Sequence, residues 1–180
     1  MMIYHCAPTM ARLKIAALIS IPTRYSSFMD EPVIRNFNKK YNQKGLYFQL
    51  LCSCKKRHLL YVYRKDLVNA YLQDADVAAF LWQYGYDAAA SLAQKLDHLQ
   101  ERFVLDQSFP HELGIFLGYP LKDVKAFIVN KGNNALICGE WKAYSDVEGA
   151  RRVFEKYTAC RCDYLKRCHN GAAFSDLIVA

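Results

Sequence analysis

The residues with the widest chemical range sit in one short run, Phe109-Pro110-His111-Glu112-Leu113-Gly114. A histidine titrates near neutrality, and a nearby carboxylate can orient its ring. His111 and Glu112 are therefore candidates for proton transfer or for holding a ligand, with Lys14 as a third candidate catalytic group. Adjacent side chains on a helix point about 100° apart, so the pair need not touch. A zinc-protease helix would need a second histidine four residues on, and Ile115 stands there, which removes that chemistry. The plainer reading puts both residues in the first turn of a helix after Pro110, where Glu112 complements the helix dipole.

A second set could form an anion site. His5, Thr9 and Lys14 precede the first expected strand, Arg64 ends another, Tyr119 follows a glycine, and Trp141, Lys142 and Tyr144 share a third. If these converge, Lys and Arg hold a phosphate or carboxylate and Trp141 a flat ring. Taken singly, each also fits an ordinary surface or core-edge position. Glycine-rich phosphate loops, dinucleotide fingerprints and nucleophile elbows are absent from the sequence.

The cysteines allow a third chemistry. Cys52 and Cys54 would face one side of a strand and could share a metal. Cys160, Cys162 and the Cys168-His169 pair are further candidate ligands, while Cys6 lies beside His5 and Cys138 stands alone. Structural zinc sites repeat paired cysteines at regular distances, and this spacing does not. Seven cysteines in 180 residues fit reduced thiols better than a disulfide scaffold. The residues do not identify a cofactor, which stays unknown at this point.

A fourth possibility is nucleic acid. Leu113, Leu117-Gly118, Val124 and Ile128 have the apolar–glycine–apolar spacing of a helix-turn-helix, which would present Lys122, Lys125 and Asn130. Asp123 and the scarcity of arginine thin the basic face that DNA requires. A helical hairpin that only packs uses the same spacing.

Composition frames these options. The chain carries 24 Lys and Arg against 17 Asp and Glu, for a net charge of +7, and is 53% hydrophobic and 14% aromatic. Disorder is excluded, and a chain of this length can bury a core without staples. The positive charge suits an anionic partner and also simple solubility. The run Ile15 to Ile21 is too short to span a membrane and lacks a clear cleavage site, so the expected location is the cytoplasm.

The elements that must position these residues follow from periodicity. A short helix or extended arm is expected over Ala7 to Leu18, and a loop over Pro22 to Asp30. A helix opens at Pro32 and is capped by Gly45. Leu46 to Cys54 and Leu59 to Arg64 read as a hairpin with a basic tip at Lys55, Lys56 and Arg57. Tyr61 and Tyr63 fall on one face of the second strand, Leu60 and Val62 on the other. Asp66 to Tyr84 is helical with a break near Asp74, and Asp87 caps a helix from Ala88 to about Leu105. Two short helices, Pro110 to Leu117 and Leu121 to Asn130, flank Gly118-Tyr119-Pro120. Ala135 to Tyr144 is a strand candidate, Asp146 caps a helix, a further short helix lies near Asp163 to His169, and Phe174 to Val179 reads as a last strand. The expectation is a single α+β domain over residues 1–180, with a small mixed or antiparallel sheet covered by several helices.

The segment Phe109 to Val124, FPHELGIFLGYPLKDV, resembles a bacterial family of domains of unknown function, DUF3793. His5-Cys6-Ala7-Pro8-Thr9 with Lys14 looks like that family's N-terminal motif, and Tyr61-Val62-Tyr63-Arg64 its central strand. Gly139-Glu140-Trp141-Lys142-Ala143-Tyr144-Ser145-Asp146 is similar to its Trp-Lys segment, with Ser145 where a Gly is expected. The resemblance implies one domain over nearly the whole chain and assigns no activity. The expectation from the residues themselves is binding or processing of a small anionic ligand in a cationic, aromatic-lined pocket. A nucleic-acid-binding regulator and a metal or redox accessory protein are the alternatives.

Overall fold

The computed structural model describes residues 2–24, 30–53, 57–105 and 109–180. The sheet has three antiparallel strands in the order β1 (Ala16–Pro22), β3 (Arg57–Arg64), β2 (Leu46–Ser53). Strand alternation sends successive side chains of β3 to opposite faces. Leu60 and Val62 enter one core, with Ile19, Phe48 and Leu46. Tyr61 and Tyr63 enter the other, with Val68, Leu96 and Phe116. The central strand is therefore buried on both sides, and helices cover both faces.

The first face carries α1 (Met2–Met10), α2 (Glu31–Tyr41) and α8 (Val147–His169). The second carries α3 (Lys65–Leu72), α4 (Ala75–Trp82), α5 (Leu92–Leu105), α6 (Leu113–Phe116) and α7 (Leu121–Val129). A two-residue ladder of β4 (Ile137–Cys138) with β5 (Lys142–Ala143) links α7 to α8. This is one α+β domain, because both cores are built on the same three strands.

Two arginines complete α1. Pro8 lies inside this helix and has no N–H for the carbonyl of Tyr4, four residues earlier. Arg161 Nε donates to that carbonyl instead, at 3.1 Å. At the other end, Arg64 donates to the carbonyls of Thr9 (2.8 Å), Met10 and Lys44 (2.7 Å). Its guanidinium thus caps the negative end of the α1 dipole from within the core. Burial, then the charge of Arg12, pulls the Arg64 pKa down to about 10.

Several boundaries differ from expectation, each for a local reason. The N-terminal helix is Met2–Met10, with Pro8 inside it, and the chain reaches the sheet by Ala16. Asp87 caps only a turn, through Ala89 N at 2.9 Å. The start of α5 is set by Ser91, whose N and Oγ both donate to Gln94 Oε1 while Oγ accepts from Gln94 N at 3.3 Å, a reciprocal cap. The expected strand at Ala135 to Tyr144 shrinks to the β4–β5 ladder, and the helix expected near Asp163 to His169 is the end of a 23-residue α8. Phe174–Leu177 is a 3-10 turn rather than a strand, closed by Asp176 Oδ2 accepting from Ala173 N. The break at Asp74 is where it was expected: Oδ1 accepts from the amides of Asp76 and Val77 and starts α4. The hairpin tip at Lys55 and Lys56 lies outside the described residues.

Candidate functional site

The α6–α7 corner is shaped by glycines. Gly118 has φ +77°, and a Cβ there would stand 2.7 Å from Ile15 Cγ1. Only glycine meets both demands without displacing β1's approach. At Gly114 a Cβ would meet Val124 Cγ2 at 2.9 Å, so the two short helices touch almost backbone to side chain. Pro120 then starts α7, which directs Asp123 inward and Phe127 toward solvent-facing space.

Asp123 is 4% exposed and fixes the following hairpin. It accepts from Trp141 Nε1 at 2.7 Å, Tyr144 N at 2.8 Å and Ser145 Oγ at 3.3 Å. With its nitrogen satisfied, the indole stacks on Tyr119 (centroids 5.5 Å apart, planes 29°) and meets Phe154 edge-on at 4.6 Å. Between this hairpin and the α6–α7 corner lies a cleft of about 380 Å³ with a nearly apolar wall. His111, Tyr119, Trp141 and Lys142 all line it, together with Phe127 and Cys138. His111 and Lys142 approach the same ring: the imidazole packs edge-on to Phe127 at 5.2 Å, and the Lys142 ammonium lies 5.9 Å from its centroid. Lys142 Nζ also donates to Gly132 O at 2.7 Å, which leaves two of its three N–H donors for another acceptor.

Glu112 does not join His111. It is 1% exposed and accepts from Arg102 Nε, and from Tyr86 Oη at 3.3 Å, while His111 is exposed. The carboxylate joins α5 to the turn before α6, so its work is structural.

Behind Tyr119 lies a charged cluster that ties three distant segments together. Lys14 Nζ is 3.4 Å from Glu140 Oε2, and Arg161 Nη1 is 2.6 Å from Glu140 Oε1. The Lys14 ammonium also sits 5.3 Å from the Tyr119 centroid and 5.8 Å from that of Tyr157. Burial lowers the Lys14 pKa, and Glu140 opposes this. Burial acts to raise Glu140, but the hydrogen bond and charge of Arg161, with Lys14, hold it below the usual carboxylate value. Burial, then Glu140, pushes Tyr119 and Tyr157 up to about 12. His5 is exposed near this cluster, and partial burial of its ring, then the charge of Arg161, lowers its pKa.

The structure thus separates the expected anion site into three groups. His111, Tyr119, Trp141 and Lys142 share the cleft. Lys14 touches the cleft only through Tyr119, and His5 lies beyond it, near Arg161. Arg64 and Thr9 are each 0% exposed; Arg64 is committed to carbonyls, and Thr9 Oγ1 is buried with no hydrogen-bond partner among the described residues. Asp123, Glu140, Arg161 and Phe127 were not singled out from the sequence. Asp123 and Glu140 sit inside the motifs already marked, beside or near Trp141 and Lys122, and that position was the only signal.

The candidate metal ligands do not gather. Cys160 is buried in the α1–α8 core, Cys162 and His169 are exposed, Cys52 and Cys168 are intermediate, and Cys54 lies outside the described residues. Among the described residues, no three His, Cys, Asp or Glu groups could hold one ion. Cys6 is fully buried, which pushes its thiol up to about 12 and makes it a poor nucleophile. On α7, Lys122 and Lys125 are both exposed, although α6 before it is a single turn. No helix among the described residues is long and apolar enough to cross a membrane.

The profile of a family described as "Protein of unknown function (DUF3793)" matches residues 2–178. The chain belongs to this family. The match spans α1 through the closing 3-10 turn, so the cleft, the charged cluster and both cores are all within the family's extent. Neither the curated proteins nor the solved structures contain a match.

Proposed function

We propose that the cleft between the α6–α7 corner and the β4–β5 hairpin binds a small molecule with a flat apolar body and one anionic end. The observation that carries this reading is the approach of both His111 and Lys142 to the Phe127 ring in a cleft otherwise walled mainly by apolar side chains. A volume of about 380 Å³ falls within the range of ligand pockets, about 300–1,000 Å³. The apolar wall desolvates the body, and Tyr119 with Trp141 offers an aromatic surface. Lys142 meets the anion with its remaining donors, and His111 adds a second donor when protonated. The protein is a binding module in this reading, and the thiol-rich sequence supports a reducing, cytoplasmic setting.

Calorimetric titration with naphthalene-2-carboxylate and with its neutral primary amide tests this. The carboxylate is expected to bind at least about fivefold more tightly, as a charge-assisted contact requires. Lys142→Met removes that preference, and Trp141→Ala weakens both ligands. Failure of both compounds to bind at millimolar concentration, or equal binding of the two, ends the proposal.

The exposure of Lys122 and Lys125 favours a second reading, in which α7 contacts nucleic acid. Fluorescence anisotropy of a labelled duplex across a salt series decides it. Binding through phosphates weakens steeply with salt and loses slope in Lys122→Ala and Lys125→Ala. A flat response excludes it.

A further inference from the structure

On the same face of the sheet as the cleft, between β2, α3 and the start of α5, lies a hollow of about 470 Å³ of different character. Its wall includes Tyr47, Gln49 and Tyr63 from the sheet and Lys65, Asn69 and Gln73 from the chain that follows β3. A second hollow of about 380 Å³ adjoins it and shares Tyr47, Lys65 and Asn69.

Sheet and helix periodicity produce this wall. Tyr47 and Gln49 are two residues apart on β2 and face the same way, across from Tyr63 and Tyr61 in the ladder. Lys65, Asn69 and Gln73 are each four residues apart, one stripe along α3 and its C-cap. The opposite rim, residues 88–91, is held in place by Lys95, whose Nζ donates to Ala88 O at 3.0 Å. The three tyrosines form a ladder, Tyr61 on Tyr63 at 4.9 Å and Tyr63 on Tyr47 at 5.6 Å, with burial falling outward to Tyr47.

The polar side chains on the β2–α3 side of this wall are idle among the described residues. Among the described residues, no hydrogen bond uses the side-chain amides of Gln49, Asn69 or Gln73 or the hydroxyls of Tyr47 and Tyr63. Lys65 makes no ion pair among the described residues, and its ammonium rests 5.8 Å from the Tyr47 centroid. The β2–α3 side of this concave surface therefore presents three amides, two phenols and the Lys65 ammonium with unused bonding capacity. The α5 side adds Ser91, Lys95, whose ammonium is bonded to Ala88 O, and the exposed Asp97 carboxylate. Amides donate and accept at adjacent atoms, as vicinal hydroxyls do. Lys65, without a carboxylate partner among the described residues and on the far side from Asp97 in the lining, matches a single anionic group.

We infer that this hollow is a second binding site, for a polyhydroxylated, sugar-like ligand carrying one anionic group such as a phosphate. Gln49, Asn69 and Gln73 bond the hydroxyls, the Tyr47 end of the ladder supplies an aromatic edge, and Lys65 meets the anion. The site is independent of the cleft, since the two share no lining residue.

The test is calorimetry and saturation-transfer NMR on the full chain with glucose 6-phosphate, glucose and inorganic phosphate. Glucose 6-phosphate is expected to bind more tightly than either fragment. Asn69→Ala and Gln73→Ala each weaken it by about fivefold, the scale of one lost hydrogen bond. Lys65→Met removes the advantage of the phosphorylated sugar over glucose. Circular dichroism verifies that each variant is folded, and Gln73, exposed at a helix end, is a position where substitution leaves the fold intact. Absence of binding by all three compounds overturns the inference. So does phosphate binding as tightly as the sugar phosphate, or indifference to both amide substitutions.

Discussion

The cleft and the hollow lie on one face of one sheet and are built in opposite ways. In the cleft, the polar side chains are committed to architecture. Asp123 holds Trp141 and Tyr144, and Glu140 joins Lys14 to Arg161. Apart from His111 and Lys142, what faces the empty space is mainly apolar. On the β2–α3 side of the hollow, regular strand and helix supply the architecture, and the amides and phenols are left unbonded among the described residues. Where loops must be held by side chains, few polar groups are left over to greet a ligand. Where backbone ladders do the holding, they can.

Asp123→Ala attacks this contrast most directly. It leaves the part-buried Trp141 Nε1 and Tyr144 N without the Asp123 acceptor, and the expected loss is about 2 kcal/mol in urea unfolding. Trp141 fluorescence should change as the indole leaves Tyr119, while glucose 6-phosphate titrations should be unaffected. Equal damage at both sites would show that they are not separately built.

Gly118→Ala is expected to cost about 1–3 kcal/mol, because a Cβ at φ +77° also meets Ile15. Thermal unfolding measures it. A stability equal to that of the parent would mean that the α6–α7 corner is not constrained as its geometry indicates.

Acid should act on the cleft's anchor in a predictable direction. Glu140 titrates below its usual value in the fold, so between the folded and unfolded pKa values the unfolded chain binds more protons. Its contribution is complete above the ordinary carboxylate pKa and is lost as pH falls through the folded one. Glu140→Gln should therefore flatten the acid limb of a stability–pH curve. An unchanged limb would place acid sensitivity elsewhere.

The smallest effect belongs to the hollow. Gln73→Ala should change stability by no more than about 0.5 kcal/mol, since an exposed, unbonded amide does little for the fold. A larger loss, read by urea midpoint, would mean that this amide is structural and the contrast between the two sites is weaker than drawn.

By itself the sequence determined the class of fold and most of its elements. The alternation through Leu60, Tyr61, Val62 and Tyr63 is a local property of a strand, and it divided the two cores correctly. The break at Asp74 and the corner at Gly118 follow from capping and from positive φ, which are also local. The short motifs marked His111, Tyr119, Trp141 and Lys142, and the fold brought those four together. Tertiary structure alone decided the rest. Arg64 and Glu112 have the residue types of a site, yet one went to the carbonyls of α1 and the other to Arg102. A charged side chain inside a protein takes the nearest group that satisfies it, and carbonyls left open by a helix end or a proline lie 54, 55 or 157 residues away in sequence. The spacing of residue types carries no record of those distances, so only the folded chain could show which polar groups are occupied and which remain open.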